Sequence, residues 1–308
     1  MSAVADRRVR AAVTSLVVGT IIFLAKIVAY WRTGSSAILS DALESIVNVV
    51  AAAFAVYAVR FAAMPADRDH PYGHGKMEYL SAAFEGGLVG FAALTIVYSA
   101  IRALMEPPQL HSLGQGMILS AAAAVANLLL GLWLLRTGKA SSSPTLIADG
   151  HHVLSDVWTT VGAIVGVALV RLTGLTWIDP ATAILLALLL LRTAFKLVLS
   201  SASGLMDRED PELLQRLVDA FNATDIEGIG GVHHLRAIRS GDVVHVDAHV
   251  YVPHHWTVAR AHAAAHQLEE SVKEKCGLSG EIALHFDTAS DDWVRRVVTL
   301  DEATRGPR

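Results

Sequence analysis

The chain has 308 residues, 53% of them hydrophobic and 18% charged, with a formal net charge of -4 and a mean hydropathy of +0.44. That is more apolar surface than a soluble core can hide, which excludes an ordinary water-soluble domain and points to a membrane as part of the solvent. The charge balance leaves no basic face for nucleic acid, and a single cysteine, Cys276, excludes an intrachain disulfide and any multi-cysteine zinc site.

A bilayer core about 30 Å thick needs roughly 20 mainly apolar residues per spanning helix. Six segments reach that length: Ala11–Trp31, Ala37–Phe61, Tyr79–Leu104, Met117–Leu135, Thr145–Val170 and Trp177–Ser201. The first is long for a secretory signal, lacks a small-residue cleavage site and is followed by further spans, so it is read as a helix. Arg7, Arg8 and Arg10 precede it, Arg60, Arg68 and Lys76 surround the link between the second and third spans, and Arg136 and Lys139 separate the fourth and fifth. The opposite side carries only Arg32, Arg102 and Arg171. The positive-inside rule therefore predicts that both termini are cytoplasmic, in keeping with an even number of spans.

The spans are not uniformly apolar. The second carries Asp41, Glu44, Ser45 and Asn48, and the fifth carries Asp149, His151, His152 and Asp156. Charged groups in a bilayer are costly and tend to face a bundle interior, an aqueous cavity or an ion. At about 100° per residue Asp41, Ser45 and Asn48 share one stripe, with Glu44 about 60° off it, while His152 and Asp156 share another. Facing each other, the two stripes offer an imidazole, two carboxylates and a further oxygen, a donor set suited to Zn²⁺ or a near neighbour. The alternative for Ser45 and Asn48 is interhelical packing, and Asp149 and His151 are read as polar contacts near the membrane surface. In the link between the second and third spans, Asp67, His70 and His74 lie within eight residues of a glycine- and proline-marked loop, close enough to close on one ion.

After about Ser203 the apolar runs end and histidines become frequent, which predicts a domain boundary: 1–206 for the membrane part, 207–289 for a small domain and 290–308 for a flexible tail. The pattern predicts a helix over Pro211–Ala223, strands over Gly231–Arg239 and Val243–Val252, a helix over Thr257–Lys275 and a strand over Glu281–Phe286. This αββαβ order describes a small α/β sandwich, with His245, Asp247 and His249 alternating onto one face of its second strand.

Three motifs in order among six spans carry a family resemblance: Ser40-Asp41-Ala-Leu-Glu-Ser in the second span, Asp67-x-x-His70-x-x-x-His74-Gly-Lys in the loop, and Ala148-Asp-x-x-His152-x-x-x-Asp156 in the fifth. The sequence resembles the cation diffusion facilitator family of proton-coupled exporters of zinc and related metals, from Arg8 to Asp287. The resemblance implies a six-helix transport domain followed by a metallochaperone-like cytoplasmic domain that commonly dimerises. It implies a transport site at Asp41, Ser45, His152 and Asp156, where Ser45 stands at a position that is often a carboxylate. Asn48, one turn along, is the candidate replacement, with Glu44 behind it. It further implies a loop site at Asp67, His70 and His74, a cytoplasmic set at His233, His249, His262, His285 and Asp287, and a salt-bridge hinge between Lys76 and Asp207. His234 is a possible bridging ligand, and His245, His254, His255 and His266 are read as exposed extras.

The expected activity is efflux of a divalent transition metal, Zn²⁺ first, in exchange for protons by alternating access. Zn²⁺ is also the expected regulatory ligand of the cytoplasmic domain, in a homodimer of a bacterial inner membrane, with no nucleic-acid partner. Metal and protons compete for the same deprotonated ligands, which is the physical basis of the exchange. An intramembrane metallohydrolase is the first rival, but the chain has no His-Glu-x-x-His or comparable motif. A membrane-anchored sensor is the second, and it leaves Asp41, His152 and Asp156 without a reason to be in the spans.

Overall fold

The computed structural model describes residues 3–33, 36–105, 114–175, 177–241, 243–289 and 298–304. The chain divides into two compact units, 1–205 and 206–308. The first unit is six helices, each long and apolar enough to cross a bilayer: α1 (Ala3–Thr33), α2 (Ser36–Ala62), α3 (Met77–Met105), α4 (Gly114–Ala140), α5 (Pro144–Thr173) and α6 (Ile178–Leu205). They run past the apolar stretches that announce them. α1 starts eight residues before Ala11 because Arg and Ala are good helix formers, so the backbone stays helical after the hydropathy falls.

Antiparallel neighbours pack along their lengths, α1 with α2, α4 with α5, and α3 with α6. Small residues permit the close approaches: Gly131 of α4 and Gly150 of α5 face each other, and a Cβ on Gly150 would stand 3.1 Å from the Gly131 carbonyl oxygen. Large apolar side chains such as Ile21, Leu24, Phe91, Tyr98 and Phe195 point outward, as lipid requires. The α4–α5 turn is closed by Ser143, the N-cap of α5, with Pro144 at the first helical position.

At the end of the bundle where α3 begins, one polar knot is sealed from the surroundings. The Arg8 guanidinium pairs with Glu78 at 2.9 Å, with side chains only 6% and 1% exposed. Arg8 also donates to the Ser141 carbonyl, Ser143 donates to Glu78, and Thr145 donates to the Glu78 carbonyl at 3.1 Å. The knot joins α1, α3 and the α4–α5 turn.

The second unit comprises α7 (Pro211–Asn222), β1 (Val232–Ser240), β2 (Val243–Pro253), α8 (Val258–Cys276), β3 (Ser279–Ala289) and α9 (Leu300–Thr304). The sheet order is β1-β2-β3, antiparallel between β1 and β2 and parallel between β2 and β3, with α8 as the crossover a parallel pair needs. Asp210 and Thr257 cap α7 and α8, and Gly277 ends α8 in the left-handed conformation. Val244, Val246, Ala248 and Val250 of β2 face Leu217, Leu268 and their neighbours in the core, which turns His245, Asp247 and His249 to the opposite face.

The expected flexible tail is corrected at 298–304. Asn222 exchanges two hydrogen bonds with Val298, at 2.8 and 3.1 Å, and Ala303 of α9 is fully buried in the core. The remaining tail positions lie outside the described residues.

Candidate metal centres

In the helical bundle, Asn48 of α2 is the joint between the polar stripes. Its amide nitrogen donates to Asp156 at 2.6 Å, and its carbonyl oxygen accepts from His152 Nε2 at 3.0 Å. An imidazole, a carboxylate and an amide oxygen thus converge from two helices, and His152 is buried. Ser45, expected as the fourth member, is placed differently: its hydroxyl accepts from Lys26 of α1 at 2.8 Å, with both residues buried. The stripe that predicts Ser45 and Asn48 together spans about 60° of helix surface, enough for one to meet α1 and the other α5. The side chains of Asp41 and Glu44 lie outside the described residues. Lys26, Arg8 and Glu78 are polar groups whose part in the bundle the sequence reading did not anticipate, although a lysine within an apolar span is itself a signal.

The loop between α2 and α3 brings its three predicted residues together. Asp67 faces both histidines, with Oδ1 3.1 Å from His70 Nδ1 and Oδ2 3.2 Å from His74 Nε2. Asp67 is set by an Asx-type turn in which the His70 and Asp69 amides donate to Oδ1 at 2.7 and 3.0 Å. The His70 amide, then the His70 ring and the Asp69 amide, outweigh burial and hold the Asp67 carboxyl below its ordinary range. His74 is buried against the edge of Phe61, with ring centroids 4.6 Å apart, while Asp67 and His70 are open to solvent.

In the second unit the sheet register assembles the site. His233 pairs with His249 across β1–β2, and His249 with His285 across β2–β3, so three imidazoles line one row. Asp287, two residues beyond His285 on the same face, collects them: Oδ2 lies 2.8 Å from His233 Nε2 and 3.0 Å from His249 Nδ1, and Oδ1 lies 3.6 Å from His285 Nε2. His233, His249 and Asp287 have ligand atoms close enough to share one ion, and His285 stands beside them with its ring 4.6 Å from that of His249. A bulge after His233, with His234 at φ 48°, breaks the strand alternation and buries His233 directly beside Val232. His262 is not brought into this cluster. It lies exposed on α8, its Nε2 3.1 Å from that of His266. His234 remains at the rim, its ring 5.0 Å from His249.

Burial pushes His233 below the ordinary histidine range, against the opposite pull of Asp287. For Asp287 burial acts upward, but hydrogen bonds from His249 and His233 prevail and keep the carboxyl below its usual range. Both shifts favour the deprotonated forms that a metal requires. Binding here is therefore expected to persist as pH falls through the ordinary histidine pKa of about 6.5 and to fail only below it. Co²⁺ absorption spectra of the full chain, taken as the difference from His233→Ala across pH 5 to 8, check this. A difference signal already lost at pH 7 contradicts it.

Lys76 lies in the first unit and Asp207 in the second, where Asp207 takes the left-handed conformation at φ 57°.

Known proteins supply the comparison. The family model described as the cation efflux transmembrane domain matches residues 12–206, and that of the cation efflux protein cytoplasmic domain matches 210–289. An uncharacterized transporter of Synechocystis is 38% identical over 267 residues, 86% of each chain. The cation-efflux pump FieF of Pectobacterium atrosepticum is 30% identical over 280 residues, 91% of this chain and 92% of the pump. That of Citrobacter koseri is 29% identical over 287 residues, 91% and 93% of the two chains.

Proposed function

The chain belongs to the cation efflux family, and from that premise we propose that it exports a divalent transition metal, Zn²⁺ first, in exchange for protons. The observation that carries this reading is the junction of Asn48, His152 and Asp156 between two membrane helices. Polar groups in spans are expensive, and an imidazole, a carboxylate and an amide oxygen together are donors that suit a divalent transition metal. The imidazole of His152 favours Zn²⁺ over Mn²⁺, which prefers all-oxygen sites. Asp41, two turns before Asn48 on α2, is the remaining ligand of this reading, with Glu44 behind Asn48 as the alternative at the position expected of Ser45.

Protons and metal compete for His152 and Asp156, so a site that alternates between the two sides exchanges one for the other. Both termini are cytoplasmic on the distribution of Arg and Lys between the links, and the proposed membrane is the bacterial inner membrane. The second unit works as a cytoplasmic metal sensor in a homodimer. Metal at Asp287 and its histidines draws two such domains together and biases the transport unit through differential affinity. The Asp67 loop is an additional metal site.

The test is Zn²⁺ flux in proteoliposomes. An imposed proton gradient is expected to drive uphill Zn²⁺ movement that a protonophore stops. Flux indifferent to the gradient eliminates proton exchange while leaving cation efflux in place.

A further inference from the structure

Two carboxyl groups inside the bundle take no part in the contacts described above. Glu85 of α3 is completely buried, and neither of its carboxylate oxygens has a hydrogen-bond partner among the described residues. Asp149 of α5 is 2% exposed, takes a hydrogen bond from Ser15 of α1, and leaves its Oδ2 without a partner. Their helices pack together, with Ala82 one turn before Glu85 and Ala148 next to Asp149 in one apolar cluster, which brings the two carboxyls into each other's electrostatic reach. Around them, Ala82, Ala148 and Leu197 from α3, α5 and α6 form an apolar cluster.

The charged and titratable groups nearby are accounted for differently. Arg8 is held by Glu78, two turns earlier on α3. His151 feels Lys139, and His152, one turn after Asp149, is joined to Asn48. His152 also acts on Asp149 through its charge. Two buried carboxylates with three oxygens unpartnered among the described residues cost several kcal/mol each on the usual scale, and their mutual repulsion adds to that. A small cation placed between them relieves both costs, and carboxyls inside a bundle commonly mark ion or proton pathways.

We propose that Glu85 and Asp149 form a second cation-binding pair, one turn of α5 from His152, which a proton or the transported divalent metal occupies as it moves to or from the transport site. The inference deepens the transport reading and rests on it. Three residues along α5 correspond to a rise of about 4.5 Å, so charge taken up at the pair is felt at His152. The pair lies on the α3-start side of the Asn48 junction, where α5 also begins, and thus marks the route between that end of the bundle and the transport site. Proton and metal share the same chemistry here, neutralisation of a carboxyl pair, and different readouts separate them.

The experiment uses the full chain with Glu85→Gln and Asp149→Asn, which keep side-chain size, beside Asp156→Ala. Zn²⁺ flux is measured against pH in proteoliposomes, and bound Zn²⁺ per chain by equilibrium dialysis. If a proton occupies the pair, both variants flatten the pH dependence of flux at unchanged Zn²⁺ stoichiometry. If metal occupies it, bound Zn²⁺ falls by one per chain while the pH profile is kept. Wild-type profiles and stoichiometry in both variants, with Asp156→Ala inactive, overturn the pair and spare the transport site. Normal transport by Asp156→Ala removes the transport-site reading instead.

Labelling of the wild-type chain by a hydrophobic carbodiimide decides the matter even if the variants do not fold. Modification of Glu85 or Asp149 that acid promotes or Zn²⁺ blocks is the expected result. Absence of labelling at both, or labelling indifferent to pH and Zn²⁺, overturns the pair.

Discussion

Asp156→Ala is expected to abolish Zn²⁺ flux in proteoliposomes, with a loss larger than the ten- to hundredfold that removal of an outer-sphere partner typically causes. Asp156 is the carboxylate at the Asn48 junction, and its Oδ2 lies 2.6 Å from the Asn48 amide. Removing it deletes the carboxylate that the proposed site depends on and takes the Asp156 acceptor from the Asn48 amide. Asn48→Leu keeps the bulk but loses both hydrogen bonds, to Asp156 and from His152, and is expected to impair flux nearly as much. Asn48→Asp tests the sign of the electrostatics. It retains an oxygen toward His152 and adds a negative charge, so Zn²⁺ binding is expected to tighten and turnover to slow as release becomes harder. Ser45→Ala, by contrast, removes only the acceptor for Lys26 and is expected to leave most of the flux intact. Full activity in Asp156→Ala, or total inactivity in Ser45→Ala with Asn48→Leu active, reverses the assignment.

The largest expected effect on stability is at Arg8. Breaking a buried ion pair by removing one partner costs about 3–5 kcal/mol, because the surviving charge stays buried. In Arg8→Ala, the Glu78 carboxylate, 1% exposed, loses its guanidinium partner while it stays buried, and the Ser141 carbonyl loses its donor. The midpoint of thermal unfolding in detergent, followed by size-exclusion fluorescence, is expected to fall by several degrees. The double variant Arg8→Met with Glu78→Leu removes both charges at similar volume and is expected to recover much of the loss. An unchanged midpoint in Arg8→Ala shows that the knot does not hold α1 to α3.

Much of the bundle was legible because its signals are local. A run of 20 apolar residues can satisfy its backbone in lipid only as a helix, and the His152-x-x-x-Asp156 spacing places both side chains on one face whatever the helix packs against. The same holds for Asp67, His70 and His74, whose separation is short enough for one loop to close. The αββαβ alternation of the second unit likewise follows from periodicity and caps, and strand and helix limits agree with it to within a few residues.

What the sequence determined, then, is which residue types sit on which elements; the rotation and register of those elements were decided only by tertiary packing. Ser45 and Asn48 are about 60° apart on one helix, so the choice of which meets α5 depended on how α2 rolls against α1, where Lys26 takes Ser45. His233 is buried because a bulge at His234 breaks a two-residue period that sequence reading must assume. His262 matches a ligand position in sequence, yet it sits with His266 on α8, away from Asp287. Arg8 and Glu78, 70 residues apart, and Glu85 and Asp149 on different helices carry no mutual signal along the chain. Side-chain chemistry is a property of single residues, whereas burial and partnership depend on distances that exist only once the helices and strands have packed.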